Sequence, residues 1–169
     1  MTKVLKAHVL KRKIDKVDSG YTISLDLDGY TSIEDKAALL FVEFEGEVNF
    51  NDLTDLSLEL AKSIAKSQGS LYFRCLSKLT PELAYELSQH DGFIALDALI
   101  DIDDETAKAM ASGPVYWKLL KLERLNDGPG SVALAKKLAK DDMLYALYSL
   151  KSVSKEVLSA VPEIKSQLE

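Results

Sequence analysis

Cysteine is all but missing from this chain: Cys75 stands alone, so no intramolecular disulfide framework exists and the reducing cytoplasm is the expected compartment. Histidine is nearly as scarce. With only His8 and His90 besides Cys75, a His/Cys metal cluster is excluded, and a Ser-His-Asp triad would have to use one of those two imidazoles. No run approaches the roughly 20 apolar residues that span a bilayer, so no membrane segment is expected. Residues Met1 to Lys13 carry several lysines without a continuous apolar stretch, and do not read as a signal peptide. Basic charge is also in deficit, 21 Lys and Arg against 27 Asp and Glu, a net charge of −6 that argues against a nucleic-acid-binding surface. There is no Gly-rich phosphate loop: Gly128-Pro129-Gly130 lacks a following Lys-Ser/Thr and is expected to form a rigid turn.

What remains is a 169-residue chain, 47% hydrophobic and 28% charged, the composition of one soluble globular domain. Its organisation emerges on laying the chain over itself at a fixed offset. Leu71, Phe73, Leu76, Leu79, Ala84 and Leu87 are followed 23 residues later by Ile94, Leu96, Leu99, Ile102, Ala107 and Met110. The same offset backwards gives Val48, Phe50, Leu53, Leu56, Ala61 and Ile64, then Leu25, Leu27, Tyr30, Ile33, Ala38 and Phe41. Forward, Trp117, Leu119, Leu122 and Leu125 hold the register. An insertion of five residues around Gly128-Pro129-Gly130 shifts it, and Ala135 and Leu138 fall back into place. A sixth unit runs through Tyr145, Leu147, Leu150, Val153 and Val161, with Leu158 in the alanine column.

The spacing within each unit dictates its local structure. The first two columns lie two residues apart, the period of a strand that buries one face. Later columns approach helical spacing. Between them stand helix starters: Thr80-Pro81-Glu82 supplies an N-cap, a proline at the first helical position and an acid at the positive end of the dipole. Ser57, Asp103 and Ser154 share the column of Thr80, with Glu59, Glu105 and Glu156 matching Glu82. Gly46, Gly69 and Gly92 close three successive units, where positive φ is expected, and Gly113 does so two positions early. His90 falls at a predicted helix end, where an imidazolium suits the negative pole.

The unit LYFRCLSKLTPELAYELSQHDG, from Leu71, resembles the leucine-rich repeat, in particular the bacterial and cysteine-containing variants patterned LxLxxCxxITDxxxxxLA. Leu71, Phe73, Leu76, Leu79, Thr80 and Leu87 match that spacing. Two features depart from it. The family's Asn or Cys after the strand is replaced by Tyr30, Leu53, Leu76, Leu99, Leu122 and Leu150, and the leucine three residues before the strand is absent at Gln68 and Asp91. The resemblance covers about residues 24 to 161. It implies an α/β fold: a short right-handed solenoid of six strand-helix repeats, with a parallel sheet on one face and helices on the other. At about 4.8 Å per strand such a sheet spans roughly 25 Å.

The ends must differ from the middle to hide terminal apolar faces. Residues 1 to 23 are expected to form a capping strand or hairpin within the same single domain of 1–169. Lys155 to Leu168 is expected as a terminal helix, with 162–169 as its tail. Phe41 to Phe50 alternates like a hairpin that competes with the end of the first helix.

Functionally, the resemblance implies a non-catalytic scaffold that binds a protein partner, with no cofactor and no metal. Side chains between the core positions of the strands should share one open face. The candidate partner-binding residues are Asp26, Asp28, Asn49, Asn51, Asp52, Tyr72, Arg74, Asp97, Lys118, Lys121 and Tyr148, a row running from acidic through Tyr72 and Arg74 to basic. A narrower version is a toxin-neutralising immunity protein whose acidic end masks a basic cleft. Asp26-Leu27-Asp28-Gly29 also looks like the nucleophile loop of haloacid-dehalogenase-like, Mg²⁺-dependent phosphatases. Tyr30 breaks that pattern, and the repeat already explains both aspartates as outward strand positions. Asp101, Asp103, Asp104 and Glu105 could hold a hard cation, but lack the glycine and downstream glutamate of an EF-hand loop; capping of the next helix explains them better. Cys75 is expected on the open face as a spectator thiol.

Overall fold

The computed structural model describes residues 3–17, 23–147 and 149–168. The chain is a mixed α/β fold whose main sheet has five parallel strands in strict sequence order. These are β2 (Ser24–Asp26), β4 (Glu47–Phe50), β5 (Leu71–Phe73), β6 (Phe93–Leu96) and β7 (Tyr116–Lys118). Their register keeps the 23-residue offset at every joint: Leu25 opposite Val48, Val48 opposite Leu71, Leu71 opposite Ile94, Ile94 opposite Trp117. Between the strands run α2 (Asp35–Ala38), α3 (Leu58–Ile64), α4 (Pro81–Ser88), α5 (Asp104–Met110) and α6 (Pro129–Lys140), each packed on the next.

The columns of apolar residues become the core. Leu25, Val48, Leu71, Ile94 and Trp117 are buried from the strand side, and Ala38, Ala61, Ala84, Ala107 and Ala135 from the helix side. Alanine suits the helix column because two helices approach closely there. Phe50 stacks on Phe73 with centroids 4.7 Å apart, and Phe41 tilts against Phe50 at 5.6 Å. Trp117 is fully buried, and its indole N–H donates to the Met110 carbonyl at 2.8 Å, closing the end of α5.

Capping chemistry is local, and here it follows the sequence pattern. Ser57, Thr80, Asp103 and Ser154 each accept a hydrogen bond from the backbone N–H three residues on, at Leu60, Leu83, Thr106 and Val157. The fifth unit differs. Gly128-Pro129-Gly130 is not a free turn but the start of α6, with Pro129 in its first turn. Its cap comes from the previous unit: the Asp104 carboxylate accepts from Gly130 N–H at 3.1 Å and Ser131 N–H at 2.8 Å.

The glycines serve close approach as much as conformation. Gly46 and Gly69 have φ of 152° and 110°, whereas Gly92 and Gly113 do not have positive φ. All four instead press against a neighbouring unit. A Cβ at Gly69 would strike the Gly46 backbone, and one at Gly92 would lie 2.8 Å from the Gly69 carbonyl oxygen. His90, expected at a helix end where an imidazolium suits the negative pole, is fully buried; its Nε2–H donates to that same Gly69 carbonyl at 2.8 Å, while Nδ1 has no partner. It ties two units together rather than serving a dipole.

Other expectations need correction. Of the capping strand or hairpin expected at the N-terminus, the described residues form the strand and not a hairpin: β1 (Val4–Leu5), which runs on into a helix that was not expected, α1 (Ala7–Ile14). Leu5 and Leu10 are fully buried, with β1 paired to β3 (Ser32–Ile33) and α1 packed on α2. Residues Phe41 to Phe50 form no hairpin either: Leu39–Phe41 is a 3-10 turn and β4 pairs only in parallel. A second set of short parallel pairings was not foreseen. β1 pairs with β3 (Ser32–Ile33), and β8 (Arg124–Leu125) with β9 (Ser152–Val153). Between these, Thr54 and Asp55 N–H groups donate to the Thr31 carbonyl, and Glu123 N–H to Ile100.

The sixth unit departs most. Its expected strand is a 3-10 turn, Leu144–Ala146, and Tyr145, expected in the core, is 54% exposed. The insertion goes into α6, twelve residues long where α3 to α5 have seven or eight. Reversing the longer helix takes Asp142 in a left-handed conformation, φ 56°, with Met143 N–H donating back to Leu138. The chain beyond coils instead of extending, although Leu147 and Leu150 still reach the core. α7 (Lys155–Ala160) stops short of the expected end, because Pro162 lacks an N–H and forces Val161 out of helical geometry; Pro162–Gln167 continues as a 3-10 helix with Ile164 buried.

Candidate partner-binding surface

Because the strands pair in parallel at a constant offset, side chains facing away from the helices line up in rows across the sheet. One row is Asp26, Asn49, Tyr72, Ala95 and Lys118, neighbours at every joint. Two residues earlier a second row holds Ser24 and Glu47 at one side and Phe93 and Tyr116 at the other. Past the strand ends come Asp28, Asn51, Arg74 and Asp97, with Asp52 and Lys121 one position further along their units.

The acidic side is tied down by hydrogen bonds. Asn49 Nδ2 lies 2.8 Å from an Asp26 carboxylate oxygen, 3.0 Å from Glu47 and 3.1 Å from Ser24 Oγ. Asn51 Nδ2 donates to Asp28 at 2.6 Å, and the Asp52 carboxylate accepts from Gly29 N–H at 2.6 Å. Two lysines of the N-terminal cap fold onto this end. Lys3 and Lys13 sit over the Tyr30 ring at 4.4 and 6.0 Å, and Lys13 Nζ donates to the Asp26 carbonyl oxygen. They offset part of the negative charge of Asp26 and Asp28.

The centre of the face is aromatic. The Tyr72 and Phe93 rings meet at 5.8 Å with a 51° tilt, and Tyr116 stands 47% exposed beside Phe93 in register. Ala95, an outward residue between Tyr72 and Lys118, is nevertheless fully buried, so its large neighbours close over it. Beyond lie Lys118, half-buried, and Lys121, exposed. Arg74 and Cys75 are exposed at the end of β5. The Asp97 carboxylate has one buried oxygen without a partner. Tyr148 lies outside the described residues.

Phe93, Tyr116 and Glu47 were missed in the sequence because the outward positions were counted only from the first core column onward. The residue just before that column shares the strand, and so also faces out.

The other carboxylate cluster is structural. Asp103 caps α5, Asp104 caps α6, and Asp101 pairs with Arg124 at 3.0 Å. Asp103 is held below the usual carboxylate range, chiefly by the Thr106 backbone N–H. The same is true of Glu34, whose carboxylate accepts from Ala7 N–H at 2.6 Å and pairs with Lys6 at 3.1 Å, pinning the N-terminal cap to the first unit. The strand order runs straight through the main sheet, with no reversal to open the crevice in which doubly wound enzymes bind phosphate esters. No helix among the described residues is long and apolar enough to cross a membrane.

Compared with protein-family models, with curated proteins and with solved structures, the chain finds no match. What it does must therefore be argued from the face itself.

Proposed function

We propose that the chain is a leucine-rich-repeat-like solenoid of six strand-helix repeats, the outer ones modified as caps, and that it works as a non-catalytic scaffold binding a partner protein through its open strand face. The observation that carries the reading is the pair of side-chain rows across five parallel strands, with Tyr116 exposed beside the half-buried rings of Tyr72 and Phe93. An exposed tyrosine such as Tyr116 adds little to the core, whereas such rings supply binding energy at interfaces. The two rows are pre-organised, since their residues sit on paired strands, and a partner need not order them on binding.

The test is affinity capture from the native host with wild-type protein and with Arg74→Glu and Lys118→Glu. Both residues are outside the core, so melting temperatures should match wild type. Loss of the captured partner supports the reading; recovery of the same proteins with both variants rules out this face.

A further inference from the structure

The strand face is not uniform, and its order of charges is fixed by the fold. Four carboxylates, Asp26, Asp28, Glu47 and Asp52, lie on or just past β2 and β4, and Lys3 and Lys13 of the cap fold over Tyr30 at the same end. The rings of Tyr72, Phe93 and Tyr116 occupy β5, β6 and β7, and Lys118 and Lys121 lie at the far side. Resting on the reading above, we infer that the partner presents a bipolar segment: a basic arm over β2 and β4, large apolar side chains on the three rings, and an acidic arm at Lys118 and Lys121.

Charge complementarity excludes the simpler occupants. A polyanion such as nucleic acid gains at Lys118 and Lys121 but is repelled by the carboxylates of β2 and β4, and a uniformly basic peptide meets the opposite conflict. A segment with both arms satisfies both ends, and reversing its direction would put like charges together at each. The face thus selects orientation as well as composition. Four strand spacings of about 4.8 Å separate the two charged ends, roughly 19 Å, which a helix of about 13 residues or an extended segment of about six would cover. The apolar anchor has a defined seat. Tyr116, 47% exposed beside Phe93, is its accessible ring, while Ala95 beneath Tyr72 and Lys118 is fully buried.

The experiment is selection of a displayed random dodecapeptide library on the intact purified protein, followed by affinity measurement of the enriched peptides. The expected winners carry basic residues at one end, aromatic or large aliphatic residues in the middle and acidic residues at the other. Tyr116→Ser should weaken them about tenfold or more, as loss of an aromatic anchor does. Lys118→Glu should do likewise, and exchanging the acidic arm of the peptide for lysines should restore its binding to Lys118→Glu. Winners that bind this face, judged by loss on Arg74→Glu, but are indifferent to Tyr116→Ser and to the charge exchange would overturn the bipolar anchor and leave the face as the binding surface. Winners indifferent to every one of these substitutions would overturn the face as well. Absence of enrichment over uncoated support would overturn the peptide-segment proposal and leave folded partners to the capture experiment.

Discussion

Gly69→Ala should be far more damaging than an alanine at a loop glycine ordinarily is. Gly69 has φ of 110°, a region that L-residues avoid at a cost of about 1–2 kcal/mol. Its new methyl would also meet the Gly46 carbonyl group, which is backbone and cannot rotate away. Relief requires parting the units at their tightest joint, where Gly46 N–H donates to the Gln68 carbonyl at 2.9 Å and His90 holds the Gly69 carbonyl. Overpacking of this kind costs a further 1–3 kcal/mol or so. The sum, about 3 kcal/mol, lowers Tm by roughly 6–12 °C for a domain of this size. Gly29→Ala is the control. Its φ is also positive, 76°, but the added methyl would meet only the tip of Lys3 at 3.6 Å. It should cost about 1 kcal/mol, from conformation alone. Thermal melts of the two variants, followed by circular dichroism, separate the terms. Equal losses would refute the argument that the units are in backbone contact at Gly69.

Three further outcomes follow from the same geometry. Trp117→Phe removes the N–H that satisfies the buried Met110 carbonyl and should cost about 1–3 kcal/mol, read as a lower urea midpoint with unchanged slope. Asp104→Ala strips the borrowed cap from α6 and should cost about 1 kcal/mol, with amide exchange accelerated at Gly130 and Ser131 more than in α4. Acid should destabilise the protein in a defined window. Glu34 and Asp103 both hold their protons less tightly folded than unfolded, so their contribution is full above the ordinary carboxylate range and is lost as pH falls through it, below about pH 4.5. Glu34→Gln should flatten that loss relative to wild type; identical acid profiles would show that the bond to Ala7 does not matter.

Where physical determinants were local or strictly periodic, the fold was legible in the sequence. Ser57, Thr80, Asp103 and Ser154 could be read as caps because capping depends on one side chain and an amide three residues away. The 23-residue register was readable because every core column had to stay apolar for successive strands to stack. The sixth strand failed for a reason the pattern cannot express: Tyr145 satisfies an apolar column yet tolerates exposure, and nothing in its spacing reports the extra turn of α6. The two-residue strands β3 and β9 are too short to show alternation, although Ile33 and Val153 fall on the fourth repeat column. His90 does follow the end of α4, as its position suggested, but its bond to the Gly69 carbonyl depends on a neighbouring unit and could not be read locally. Of the candidate site, the charge order from Asp26 to Lys118 was visible in advance. The aromatic centre was half-hidden, since Phe93 and Tyr116 precede the core column from which the strands were counted.

In the proposed function the strand side, not the helix layer, meets the partner. Tyr116 on β7 and Tyr85 on α4 are matched for testing it: both are tyrosines, exposed by 47% and 51%, one on the strand face and one on the helix layer. Each can be replaced by a photo-crosslinking phenylalanine and irradiated in the native host. A specific covalent adduct from position 116 and none from position 85 is the result predicted here; an adduct from 85 with none from 116 would contradict it and put the working surface on the helices.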